Sequence, residues 1–311
     1  EQVPNMIVSS ADLSNSDKTD GFLKKTHVLT RDDFSGAFLQ AGVAELTMAC
    51  CCIGMAIHGG VIPACATFFV FSDYMKPAVR MAALMELPVK FIWSHDAFRV
   101  GEDGPTHEPV EQEAQIRLME KLKNHSGKDS VRVFRPADSY ETTICWKLAM
   151  ANTATPSALI LSRQGIENLP EGNDYEQVTK GAYIIKGSDE NPDVILVASG
   201  SEVSTLISGS ELLRKDGVKV RIVSAPSEGL FREQSKEYQN KVLPYNVKKF
   251  GLTAGLPVTL EGLVGIGPYS KVVGLQSFGF SAPYKVLDEK LGYTGKNVYE
   301  QVKSFLTESL E

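Results

Sequence analysis

A chain of 311 residues, 43% of them hydrophobic, is too long for one ordinary core, so two domains are expected. A net charge of −6 argues against nonspecific nucleic-acid binding, and any anionic substrate must meet a local cluster of His and Arg rather than a global field. The most apolar stretch, residues 43–71, is broken by His58-Gly59-Gly60 and Pro63, which argues against a membrane span; with no signal peptide legible, a cytoplasmic location is the expectation.

Met6-Ile7-Val8-Ser9 reads as a short strand, followed by a polar Ser/Asp/Asn stretch and by Thr30-Arg31-Asp32-Asp33-Phe34. Apolar spacing predicts a helix over 43–57 that Gly59-Gly60 ends. A strand and turn follow from Val61 to Phe71, then a helix from about Ser72 to Met85, with Pro77 near its first turn and Leu87-Pro88 as its stop. Val89–Ser94 reads as a buried strand, 109–125 as a helix, Val131–Phe134 as a strand, Tyr140–Asn152 as a helix and Ala158–Ser162 as a strand. Residues 167–180, with Pro170, Gly172 and Asn173, read as a linker. Beyond it come a strand at Asp193–Ala198 and a helix opened by Ser199 and Glu202 at capping-box spacing. A strand at Val218–Ser224, a helix over 232–243, a strand at 271–276 and a terminal helix over 295–310 complete the chain. Strand alternating with helix implies an α/β fold of two domains, 1–166 and 181–311, each a mainly parallel sheet flanked by helices.

The five cysteines are Cys50, Cys51, Cys52, Cys65 and Cys145. Consecutive helical positions point about 100° apart, so the triplet cannot converge on one metal. All five are expected as small core residues in a reducing compartment.

The densest chemistry lies at 95–107, where two histidines and three acids share one glycine-punctuated loop directly after a strand. Open parallel sheets bind ligands at such strand ends. His95, Asp103 and His107 are therefore candidates to handle a polar substrate, against a purely structural role for each. Glu45 lies within Gly42-Val43-Ala44-Glu45-Leu46 and is either a first-turn carboxylate favoured by the helix dipole or a buried acid with a role. Phe68, Phe69, Phe71 and Tyr74 are either core or a stacking platform. Arg163 ends a strand and can fork onto a phosphate or carboxylate, or sit in a surface ion pair. There is no P-loop, no G-x-G-x-x-G after a strand, no G-x-S-x-G elbow and no H-E-x-x-H. Also absent is a Gly-Asp-Gly with a downstream Asn at the spacing that thiamine enzymes use for Mg²⁺ and a diphosphate.

Eight segments in register resemble the C-terminal part of transketolase of the bacterial, yeast and plant type. They are Ser-Ala-Asp-Leu (10–13), Gly-Val-x-Glu (42–45), Thr-Phe-x-x-Phe-Ser-Asp-Tyr (67–74), Gly-Glu-Asp-Gly-Pro-Thr-His (101–107), Arg-Pro-Ala-Asp (135–138), Leu-Ser-Arg-Gln (161–164), Ala-Ser-Gly-Ser-Glu-Val (198–203) and Ser-Phe-Gly-Phe-Ser-Ala-Pro (277–283). The resemblance implies a pyrimidine-binding domain at 1–166 and a transketolase C-terminal-like domain at 181–311, without the diphosphate-binding domain that precedes them in the family. It implies transfer of a two-carbon ketol unit from a ketose phosphate to an aldose phosphate through a thiamine diphosphate adduct.

By the same resemblance Glu45 would bond the pyrimidine and favour its imino tautomer. Phe68, Phe71, Tyr74 and Asp12 would surround that ring. Ser16, His95 and Arg163 would bind the sugar phosphate, and Asp103 and His107 would meet its hydroxyls. The Mg²⁺ or Ca²⁺ ligands would lie on a missing N-terminal domain or partner subunit. A homodimer, and inactivity of this chain alone, are implied too, with no nucleic-acid or membrane partner. Two other readings stay open: another thiamine enzyme, such as a deoxyxylulose phosphate synthase or a ketoacid dehydrogenase β-subunit, and a non-catalytic dimerisation module. The chain departs from the family's pattern at Ala44, at Leu46-Thr47 and at Ala97-Phe98-Arg99.

Overall fold

The structure, a computed structural model, describes residues 3–308. The first sheet consists of β1 (Met6–Ser10), β2 (Phe38–Gln40), β3 (Ile62–Phe68), β4 (Lys90–Ser94), β5 (Arg132–Phe134) and β6 (Ser157–Ile160), in the order β2-β1-β3-β4-β6-β5, and every pairing is parallel. The second consists of β7 (Tyr183–Ile184), β8 (Val194–Ala198), β9 (Val220–Ser224), β10 (Lys248–Leu252) and β11 (Ser270–Val273), in the order β11-β10-β8-β9-β7. Only β7 runs antiparallel among its described pairings. The fold is thus α/β with two mainly parallel sheets. Its central strands β3, β4, β8 and β9 are almost wholly buried, as helices on both faces require.

The helix Glu45–His58 buries Met48, Ala49, Cys52 and Ile53 against β3 and the helix Ser72–Leu84. Gly59 at φ +80° ends it. Its buried residues recur at one helical face, so Cys52 is in the core while Cys50 and Cys51 are exposed. The expectation of five core cysteines therefore holds for Cys52, Cys65 and Cys145 only; successive helix positions cannot share one face.

Several elements differ from expectation. The helix expected over 109–125 spans Gln112–Glu120, and that over 232–243 is two short helices, Glu228–Arg232 and Lys236–Val242. Helices Val258–Val264 and Tyr284–Leu291 and strands β2, β7 and β10 have no counterpart in the periodicity. The terminal helix spans Gly295–Thr307, and residues 309 and 310 of the expected span lie outside the described residues. The capping box is also not formed. The helix Glu202–Lys215 starts after Ser201 without a side-chain cap. Glu202 instead turns its carboxylate across the domain boundary.

There Arg135, 1% exposed, bonds Glu202, the Ser199 carbonyl (2.8 Å) and Asp96 (2.7 Å). Arg99 bonds the other Glu202 oxygen (2.7 Å) and Asp288 (2.7 Å). Burial pushes Glu202 up, but Arg135 and Arg99 more than offset it and hold the carboxyl below its ordinary range. One hydrophobic cluster runs through this boundary, joining Phe98, Val110, Phe134 and Cys145 to Leu196, Leu206, Phe250 and Phe305.

Candidate active site

β1, β3, β4 and β6 all point their carboxyl ends at one edge of the first sheet, because every pairing among them is parallel. Asp12, Phe71, His95 and Arg163 each follow one of these ends within a few residues. The chain turns sharply there: Asp12 and His95 adopt φ +63° and +62°.

Beside this edge lies a cavity of about 520 Å³ lined by Ala11, Leu13, Val43, Ala44, Glu45, Leu46, Thr47, Phe71 and Tyr74. Glu45 is the first residue of its helix, where the dipole favours a negative charge. It is 8% exposed, and its one side-chain hydrogen bond comes from Thr67 Oγ1 at 3.4 Å. The carboxylate is thus buried with most of its accepting capacity unused. Phe71 and Tyr74 stack at 6.2 Å and form a flat wall beside it.

The aromatic series leads onward to the histidines. Phe68 stacks on Phe71 at 6.2 Å and on the His95 ring at 3.7 Å, while His107 meets Phe71 edge-on at 5.4 Å. Phe69, by contrast, is core, stacked on Trp93. His95 Nδ1 is 2.9 Å from Ser94 Oγ. Burial first, and then the Arg163 charge, push the His95 pKa down to about 4; Asp103 opposes, and His107 and Lys18 add to the fall. These charges all reach the same ring, so they gather around one small volume.

The structure therefore brings Glu45, Phe68, Phe71, Tyr74, His95 and His107 into one connected surface, with Asp103 and Arg163 close enough to act on His95. Asp12, in the turn after β1, and Ser16, on the short helix Ser14–Asp17, stand exposed, and like Phe68, His95, Asp103, His107 and Arg163 they lie outside the cavity lining. Two members were missed in the sequence. Thr67, the partner of Glu45, is a hydroxyl at the end of an otherwise apolar strand, which was a usable signal. Lys18, in a left-handed conformation at φ +68°, gave none. Among the described residues no group of three or more His, Cys, Asp or Glu is arranged to hold a metal ion, and no helix is long and apolar enough to cross a membrane.

The family model for the transketolase pyrimidine binding domain matches residues 1–168, and that for the transketolase-like C-terminal domain matches 181–294. This chain belongs to the transketolase family. A transketolase of Halalkalibacterium halodurans is 43% identical over 98% of the chain. The chain spans 44% of that relative's length. Among solved transketolases, the Pichia stipitis enzyme in complex with sedoheptulose 7-phosphate superimposes with a TM-score of 0.86 at 33% identity, over 98% of this chain and 43% of that one. A chain described as a split-gene transketolase in an inactive β4 tetramer matches with a TM-score of 0.74 at 26% identity, over 98% of this chain and 93% of that one.

Proposed function

We propose that this chain is the C-terminal part, or a separate subunit, of a transketolase that moves a two-carbon ketol unit from a ketose phosphate to an aldose phosphate. The observation that carries the reading is Glu45: a buried carboxylate with one 3.4 Å hydrogen bond, beside a flat aromatic wall in an open cavity. A mostly buried carboxylate whose free oxygen opens onto a cavity suits a ligand that brings its own donor. A heteroaromatic ring with an N–H fits both features, so the cavity suits the aminopyrimidine of thiamine diphosphate.

Glu45 would accept the ring's proton-bearing nitrogen and set its tautomer, with Phe68, Phe71 and Tyr74 stacking on or edging against it and Asp12 nearby. Thiamine diphosphate, when bound, supplies the nucleophilic carbon and the electron sink of ketol transfer. His95 and Arg163, with Ser16, would take the sugar phosphate, and Asp103 and His107 its hydroxyls. We assign the diphosphate and its Mg²⁺ or Ca²⁺ to an N-terminal domain or partner subunit, because this sequence lacks the Gly-Asp-Gly and Asn motif. Val43 (80% exposed), Leu46 and Tyr74 (62% exposed) rim the cavity, as expected of a wall that another domain covers. A homodimeric, cytoplasmic enzyme of the pentose phosphate pathway completes the reading.

The test is reconstitution. Alone, the chain should show no ketol transfer, in keeping with the inactive split-gene relative. Mixed with a transketolase N-terminal chain, thiamine diphosphate and Mg²⁺, it should convert sugar phosphates. Full turnover by the chain alone would remove the need for a partner; a silent mixture whose two chains demonstrably associate would remove the assignment.

A further inference from the structure

Glu108 follows His107 and is 2% exposed, yet neither carboxyl oxygen has a well-formed hydrogen bond, only a weak approach from the Phe280 backbone. A carboxylate ion in that position is strongly disfavoured, whereas the neutral acid is tolerable. The side chain is pressed beneath the loop Ser277–Pro283. A Cβ added to Gly279 would overlap Glu108 Oε2 and come within 2.8 Å of its Cδ, so a larger residue there must displace the Glu108 carboxyl. The same loop grips the segment before Glu108 at two further points. Ser281 Oγ donates to the Glu102 carbonyl at 2.6 Å, and a Cβ on Gly104 would come within 3.0 Å of Ser281 Cβ.

We propose that Glu108 is a positioning residue: as a neutral acid it keeps Gly101–His107 clamped under Ser277–Pro283, and its deprotonation loosens the clamp and with it His107 and Asp103. The role given to those two residues rests on the proposed function; the clamp itself does not. Burial pushes Glu108 up to about 7, with the Phe280 backbone offsetting part of the rise and no charged neighbour contributing. The groups around it agree. Residues 276–283 and 253–257, which pack against this segment, contain no ionisable side chain. Glu102, Asp103 and His107 precede it on its own segment, Glu111 and Glu113 follow it, and Asp73 reaches the segment through Gln112. Thus no cation is placed to pair with an ionised Glu108.

The sign follows from the two states. The clamped state holds the proton up to about pH 7, while a loosened Glu108 returns toward its ordinary value of 4.5. Between these values the clamped state binds more protons, so opening becomes more favourable as pH rises, by up to about tenfold per unit, and levels off above. Hydrogen exchange on the chain as it stands reads this directly. After correction for intrinsic rates, amide protection at 102–107 and 277–282 should fall about sixfold per pH unit on average from about 5.5 to 7. In Glu108→Gln, which keeps size but cannot ionise, it should stay flat at the low-pH level. Gly279→Ala should lower protection at every pH. A flat wild-type profile, or a slope that survives in Glu108→Gln, overturns the proposal. Because no turnover is measured, failure of the ketol-transfer reading and failure of the clamp give different results.

Discussion

His95 combines backbone strain with a buried ring. A non-glycine residue at φ +62° stores about 1–3 kcal/mol. The ring, 5% exposed, is pushed down to about 4 by burial and by Arg163. An unfolded histidine takes up its proton near 6.5, so as pH falls from 6.5 toward 4 the unfolded state holds the extra proton and stability drops, by up to about 3 kcal/mol. Strain and desolvation together at a strand end are what a binding site, rather than a core, retains. If His95 takes the sugar phosphate as proposed, an arriving phosphate dianion would favour its protonation and offset the Arg163 repulsion. Imidazole NMR should show a midpoint near 4 for the free chain. In the reconstituted enzyme a sugar phosphate should move that midpoint upward. An unchanged midpoint with ligand bound would take His95 out of the phosphate site. Glu45 gives the companion prediction. Glu45→Ala removes one weak hydrogen bond, so stability should change by no more than about 1 kcal/mol. Ketol transfer by the reconstituted enzyme should nevertheless fall on the order of 10²–10⁴-fold, if Glu45 sets a proton's position.

Among the elements, the helix Ser139–Ala151 is held by a residue that serves three partners. Asp138 caps it through the Glu141 N–H (2.8 Å), accepts from the Leu169 N–H (2.9 Å) and accepts from the Tyr175 hydroxyl (2.6 Å). The segment expected as a linker is therefore tied down, with Tyr175 also stacked on Tyr140 at 4.8 Å. Asp138→Ala loses a cap worth about 1 kcal/mol and two further hydrogen bonds, one buried and one part-buried, of about 1 kcal/mol each. Urea unfolding should show a loss of about 3 kcal/mol; a loss under about 1 kcal/mol would mean that water replaces the carboxylate freely. This example marks the limit of what the sequence disclosed. The strand–helix alternation, the parallel sheet and the loop at 95–107 were legible because each rests on a run of apolar residues with clear stops. β2 and β7 are three and two residues long, too short for any period. β10 opens with Lys248 and Lys249, whose ammonium groups reach backbone carbonyls while the stems stay in the sheet, so the pattern looks polar. Glu202 had the spacing of a cap, yet two arginines some 100 and 70 residues earlier claim it, and no local pattern could signal that.

At the scale of the whole molecule, the two sheets are joined by that same group of charges. Arg135 stands on the first domain between Asp96, which adjoins His95, and Glu202 at the head of a helix of the second. All three are at most 4% exposed. A buried ion pair is not by itself a gain in stability, since desolvation offsets the attraction. Its removal from one side is costly, because the charge left behind has lost its compensation. Asp96 shows how near the balance lies: burial already raises its carboxyl above the ordinary range in spite of Arg135. Arg135→Met keeps the apolar stem and leaves Asp96 facing Glu202 without the intervening cation. The expected cost is about 3–5 kcal/mol, with much of it at the boundary. Calorimetry should then resolve two transitions, where one is expected of the parent chain, with the first-domain sheet and second-domain sheet melting apart. A single transition at the parent temperature would mean that the shared apolar cluster alone couples the domains, and that the arginine is incidental to how the sheet edge bearing His95 is held.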